Sequence, residues 1–215
     1  MKDEVLRLIV FSHIKVGNYY FHTIRKNAEV SFKLRWGAFI FGNVFPDISK
    51  LAFRNHYYED TKSIYKCYQI KARNPENTDR KRSMALGVVC HFLCDYFCKY
   101  HAKMPYTKQS MVLHTLYEVI LHMRIENILF KRNTDLLDVN ERSIFNAATD
   151  QKGVDGRFDL QSMIKDYEDE DESFQTDMAF AFRAVRGAMK EILGAETAVS
   201  DEKKREERTP VRSAA

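Results

Sequence analysis

The run from Gly87 to His101, G-V-V-C-H-F-L-C-D-Y-F-C-K-Y-H, followed by H-T-L-Y-E from His114 to Glu118, constrains this chain more than any other stretch. It is largely apolar, yet it carries His91, Asp95, His101, His114 and Glu118. Residues four apart share a helix face, so His91 with Asp95, and His114 with Glu118, each form a two-ligand clamp. An unpaired buried polar group costs roughly 1–3 kcal/mol, and metal ligation removes that penalty. Two clamps of imidazole plus carboxylate point to two zinc ions.

At 215 residues the chain is long enough for one domain with a substantial core and too short for two comfortable ones. Hydrophobic residues at 45%, with only eight Gly and four Pro, favour helices over a turn-rich β architecture. The expected class is all-α: a single-domain helical bundle over residues 1–194, then a charged tail over 195–215, poor in apolar groups and expected to be disordered. The net charge of +4 is spread among acids without a basic stripe, so no stable nucleic-acid complex is expected. The first residues carry Asp3, Glu4 and Arg7 where a secretory signal needs an unbroken apolar run, and nothing approaches the ~18 apolar residues of a membrane span. A cytoplasmic protein is expected. Cys90, Cys94 and Cys98 recur every four residues, but Cys90 and Cys98 would lie ~12 Å apart along a helix axis, too far to grip one ion. They read, with Cys67, as reduced thiols, the three on the helix serving as small apolar core residues.

Helical spacing of Leu8, Ile9, Phe11, Ile14, Tyr19 and Phe21 predicts a first helix from Val5 to about Lys26. A second, about Ser31 to Phe45, should stop at Pro46, leaving Asp47 on a turn. A linker from Asn55 to Asp60 precedes a short helix around Lys62 to Ala72, and Arg73 to Thr78 reads as a loop. The ligand-rich helix should run from about Asp79 to Tyr100, the next from about Lys108 to Lys131, and Thr134-Asp135 should open another short one. A turn-rich segment at Asp150 to Gly156 and an acidic run after Asp166, read as a solvated connection, lead to a final helix from about Phe174 to Leu193.

His101 lies ten residues beyond His91, ~15 Å along an unbroken helix, so the two should serve different metals. The natural partition gives one zinc to His91, Asp95 and His56, and a second to His101, His114 and Glu118. Three protein ligands leave a position for water, the arrangement of a hydrolytic site. His22, half a turn out of phase with His13, and His122, ~12 Å along the axis from His114, are not expected to ligate.

The order His13, Gly42-Asn-Val-Phe-Pro-Asp47, His56, His91-x3-Asp95-x5-His101 and His114-x3-Glu118 resembles the zinc-dependent phospholipase C family, whose fold is related to zinc-dependent single-strand nucleases. The likeness covers roughly residues 1–130. It implies that His56, His91 and Asp95 hold one zinc and that His101, His114 and Glu118 hold the second, with Asp95 bridging to a third bound by His13. It implies for Asp47 the role of general base for the attacking water, or of a further ligand. Secreted members are similar in using a mature N-terminal tryptophan at the third zinc, whereas here Met1 stands twelve residues before His13. The expected activity is that of a zinc-dependent hydrolase of phosphodiesters, phospholipase C-like, with zinc-activated water attacking phosphorus. The substrate would be a phospholipid headgroup or a nucleotide-like phosphodiester. A nuclease or phosphatase on the same site, or a non-catalytic zinc-stabilised protein, are the alternatives.

Overall fold

The computed structural model describes the backbone at residues 2–27, 32–49, 56–102, 113, 116, 117, 120, 121, 124 and 158–207, and within these the side chains other than those of 2–11, 23, 26, 27 and 194–207. The described residues form helices α1 (Lys2–Asn27), α2 (Trp36–Ile48), α3 (Tyr58–Arg73), α4 (Asp79–Tyr96), α5 (Lys99–Ala102), α6 (Leu160–Asp169) and α7 (Phe174–Glu207), with no strand among them. Leu113, Leu116, Tyr117, Ile120, Leu121 and Arg124 are helical as well. The fold is all-α, as the composition predicted. No helix among the described residues is long and apolar enough to cross a membrane.

The centre of the bundle is α4, which packs against α1, α2, α3, α5 and α7. Thirteen of its eighteen residues are buried. Its start is local chemistry: Pro75 and the Asn74 side chain, which accepts from the Glu76 N–H, turn the chain, and the Thr78 hydroxyl accepts from the Lys81 N–H as an N-cap. Arg82, one turn later, is buried; its Nε donates to the Ala72 carbonyl, closing the end of α3.

Against α4 lies α2, at a crossing that only glycine permits. A Cβ on Gly42 would stand 2.1 Å from the Met84 carbonyl oxygen, and one on Gly87 would stand 2.1 Å from the Phe39 carbonyl oxygen. This near-contact of backbones brings the last turn of α2 beside His91.

Several boundaries differ from the sequence expectation. Pro46 does not stop α2, which continues to Ile48, so Asp47 sits in a helical last turn rather than on a turn between elements. The local cost of proline is outweighed by burial of Phe39, Gly42, Asn43, Val44 and Pro46. Tyr58 to Asp60 belong to α3 rather than to a linker. The ligand-rich helix ends at Tyr96, not Tyr100, and resumes as α5 after a turn at Phe97 and Cys98. Between the turn-rich segment and the acidic run, and taking in the first residues of that run, lies a helix the sequence reading did not assign, α6, capped by Asp159, whose carboxylate accepts from the N–H groups of Gln161 and Ser162. The last helix reaches Glu207. The helices expected near Lys108 to Lys131 and at Thr134, and the turn at Asp150 to Gly156, lie wholly or mostly outside the described residues.

Candidate metal centre

His13 on α1, Asp47 on α2, His56 just before α3, and His91 and Asp95 on α4 converge on one point. All five except Asp47 are among the buried polar residues, at 7% exposure or less. Each is carried there by a separate piece of packing. The Gly42–Gly87 crossing delivers Asp47 to within 3.7 Å of His91 Nε2. His56 is tethered through Thr61, whose hydroxyl donates to the Tyr57 carbonyl at 2.7 Å and pairs with Tyr96 Oη at 2.9 Å, one residue past Asp95. The α4 step from His91 to Asp95 is one helical turn, which sets Nε2 and Oδ2 3.0 Å apart.

His91 is wholly buried, and its Nδ1 lies 2.8 Å from the Asn43 carbonyl oxygen. A carbonyl only accepts, so Nδ1 carries the proton and Nε2 presents its lone pair to the cluster, the outer-shell device that orients metal-binding imidazoles. Burial is the main force on His91 and pushes its pKa down, which keeps the ring neutral. For His56 burial pulls the same way, but the hydrogen bond and charge of Asp95, with Asp47 adding, outweigh it and hold the pKa above its ordinary value. Burial opposes the charge of Asp95, yet the surrounding His91, His101, His13 and His56 keep its carboxyl well below the usual range.

The donor atoms fit a metal. Oδ2 of Asp95 stands 2.7 Å from His56 Nδ1 and 3.0 Å from His91 Nε2, and the two nitrogens are 3.3 Å apart. Zinc bonds of about 2.0–2.1 Å in a tetrahedron place ligand atoms roughly 3.3 Å from one another, close to that triangle. On the other side, Oδ1 of Asp95 lies 3.4 Å from His13 Nε2, which is 3.8 Å from Asp47 Oδ2. Two sets of three can therefore hold an ion: His56, His91 and Asp95, and His13, Asp47 and His91. His91 offers one nitrogen to both, so they form one continuous cluster with Asp95 facing each half. The buried Asp47 Oδ2 has no hydrogen-bond partner, the signature of a group built for a cation.

His101 stands closer than a straight helix allows. The break after Tyr96 turns α5 back so that the His101 ring stacks on His56 at 5.9 Å between centroids, and the ~15 Å separation from His91 expected along an unbroken helix does not apply. His114, Glu118 and His122 lie outside the described residues. His22 is exposed on α1, away from the cluster, as its phase predicted. Cys90 and Cys98 are buried, Cys94 is half-buried and Cys67 exposed.

Sequence reasoning missed the Asn43 carbonyl, which fixes the tautomer of His91, and the glycine pair that brings it there. The signal lay in Gly42-Asn43 and in Gly87, four residues before His91, but a backbone acceptor has no residue type to read.

A family model described as zinc-dependent phospholipase C matches residues 12–174, which is most of the chain. No curated protein and no solved structure matches.

Proposed function

The chain belongs to the zinc-dependent phospholipase C family, and from that premise we propose that it is a zinc-dependent hydrolase of phospholipid phosphodiesters. One observation carries the reading: His13, Asp47, His56, His91 and Asp95, from four separate stretches of chain, meet in a single buried cluster with an unpartnered carboxylate oxygen. In this reading His56, His91 and Asp95 hold one zinc, His13 and Asp47 stand at the other face of Asp95, and His101 with His114 and Glu118 completes the set. Zinc, when bound, supplies positive charge that acidifies a water and polarises a phosphoryl oxygen.

The protein's own part is positional and acid–base. Asp47, with one oxygen facing His91 and His56 and the other facing His13, is the group placed to take the proton of an attacking water. Burial keeps His91 neutral, and the Asn43 carbonyl, by accepting from Nδ1–H, leaves Nε2 as its ligand atom. Asp95 ties the two halves together through its separate oxygens. The near-burial of the cluster limits competing water around it, which strengthens every charge interaction inside.

The experiment is turnover by zinc-loaded full-length protein on bis(p-nitrophenyl) phosphate, then on phosphatidylcholine vesicles and on single-stranded nucleic acid. Cleavage of the first two, abolished by a chelator and restored by zinc, is the expected result. Preference for nucleic acid replaces the substrate class while keeping the site, and no turnover of any of the three removes the hydrolase reading. Asp47→Asn should cost at least 10²-fold in kcat, whereas a non-catalytic zinc protein would be inactive in both forms.

A further inference from the structure

The leading N–H groups of a helix have no partner within it, so where α5 starts depends on what those groups find. The first of them, on Lys99, donates to Oδ2 of Asp177 on α7, 3.1 Å away and 78 positions along the chain. Asp177 is 2% exposed. Its Oδ2 also accepts from Tyr117 Oη at 2.5 Å, and its Oδ1 accepts from Tyr167 Oη at 2.6 Å. The acid sits among rings: Phe97 stacks on Phe180 at 5.7 Å and meets Tyr167 edge-on at 5.4 Å, and Tyr117 stacks on Phe174 at 4.2 Å.

A buried carboxylate in such a place is retained only where its hydrogen bonds do something an apolar side chain cannot. Here the distinctive bond is the one to Lys99. Nothing in the sequence at Phe97-Cys98 is a helix breaker, since neither Gly nor Pro occurs there. The turn is made from outside, by Phe97 docking on α6 and α7 and by Asp177 capping the new helix start. Two residues after that cap stands His101, whose ring lies on His56.

We propose that Asp177 is a positioning residue for the metal centre: by capping α5 from α7, it sets where His101 stands against His56. The proposal rests on the reading of His101 as a metal ligand given above.

The test uses full-length protein as wild type, His101→Ala, Asp177→Ala and Tyr167→Phe; alanine is chosen because an asparagine oxygen would still accept from the Lys99 N–H. Zinc affinity is measured against a competing chelator, together with the visible spectrum of the cobalt(II)-substituted protein and the melting temperature in chelator. Asp177→Ala should reproduce the His101→Ala result, with the weaker zinc losing 10–100-fold in affinity, the usual cost of removing an outer-shell support, and with the same cobalt band lost or shifted. Tyr167→Phe removes another bond to the same carboxylate but leaves the cap. It should melt lower with zinc affinity and cobalt spectrum within about twofold of wild type.

Should Asp177→Ala fail to fold, Lys99→Pro against Lys99→Ala asks the same question, because proline is tolerated at a first helical position and removes only the N–H that Asp177 accepts. Lys99→Pro should lose zinc and Lys99→Ala should keep it. Zinc lost in His101→Ala but retained in Asp177→Ala and Lys99→Pro overturns the proposal alone. Zinc unchanged in His101→Ala removes the ligand role of His101, and the proposal with it.

Discussion

Gly87→Ala is the sharpest probe of how the bundle builds its centre. The added Cβ would stand 2.1 Å from the Phe39 carbonyl oxygen and 2.9 Å from the Asn43 nitrogen, both backbone atoms that cannot swing aside as a side chain can. A tolerable carbon–oxygen approach is about 3.3 Å, so α2 and α4 must part by roughly 1.2 Å at the crossing. The His91 Nδ1 to Asn43 O hydrogen bond, now 2.8 Å, would then stretch toward about 4 Å, beyond bonding range. Overpacking of this kind costs about 1–3 kcal/mol. A buried donor and acceptor left unpaired add about 1–3 kcal/mol, and replacing glycine within a helix returns at most about 1 kcal/mol.

The net loss is roughly 1–5 kcal/mol, or several degrees of melting temperature for a chain this long. Gly37→Ala is the matched control, because a Cβ there meets nothing within 4 Å on the exposed side of α2. It should melt with the wild type or slightly above it. Thermal melts in chelator and zinc titrations read the two consequences separately. A Gly87→Ala protein that melts and binds zinc like wild type refutes the close crossing. One that melts lower with zinc affinity intact refutes the claim that the crossing sets His91.

Other expectations follow from the same geometry. Thr61→Val removes the bonds to the Tyr57 carbonyl and to Tyr96 Oη; it should cost about 1–3 kcal/mol and weaken zinc through His56, as melts and titrations would register, and an unchanged zinc affinity would exclude the tether. His56 holds its proton above the ordinary 6.5, so zinc must displace that proton, and apparent affinity should rise with pH through the range above 6.5 before levelling. Calorimetry at pH 7 in two buffers of different ionisation heat should reveal proton release, and identical heats would contradict it. Burial raises the pKa of Asp177 above 3.8 despite its tyrosine and backbone donors. Because the folded value is the higher one, the contribution of this group is full below the unfolded pKa and falls as pH rises through the folded pKa. In denaturant titrations from pH 3 upward, the deficit of Asp177→Asn relative to wild type should therefore shrink across that window. A deficit that grows would reverse the assignment.

What the sequence made legible was whatever lies on one helix. The class comes from composition, five of the helices and the His91–Asp95 clamp from spacing, and the structure sets His56 beside that clamp. Boundaries failed where tertiary packing outweighed local preference: Pro46 inside α2, and the turn after Tyr96 without a breaker. The apolar spacing of Leu160, Met163, Ile164 and Tyr167 after the Asp159 cap was available in principle, but the reading passed from the turn-rich segment to the acidic run without assigning it. Asp177 illustrates the limit. In the sequence it is an ordinary acid in a helix's first turn, and only the fold brings Lys99, Tyr117 and Tyr167 to it.

The charges in the cluster also bear on why it needs more than its own protons. Burial pushes the pKa of His91 down and holds the ring neutral, and the bond to Asn43 fixes which nitrogen carries its proton. Asp95 is ionised with its pKa well below the usual range, and Asp47 lies within 4.0 Å of three imidazole nitrogens. Gathering two carboxylates in a low-dielectric interior is unfavourable unless positive charge sits between them. A proton on His56 answers one oxygen of Asp95, at 2.7 Å, but leaves Asp47 Oδ2 without a hydrogen-bond partner. A divalent cation answers several lone pairs at once and carries twice the charge. On that reckoning the ligand set is tuned so that metal and proton compete for the same atoms, and the balance between them passes through the carboxylate of Asp95, the group whose two oxygens face both halves of the cluster.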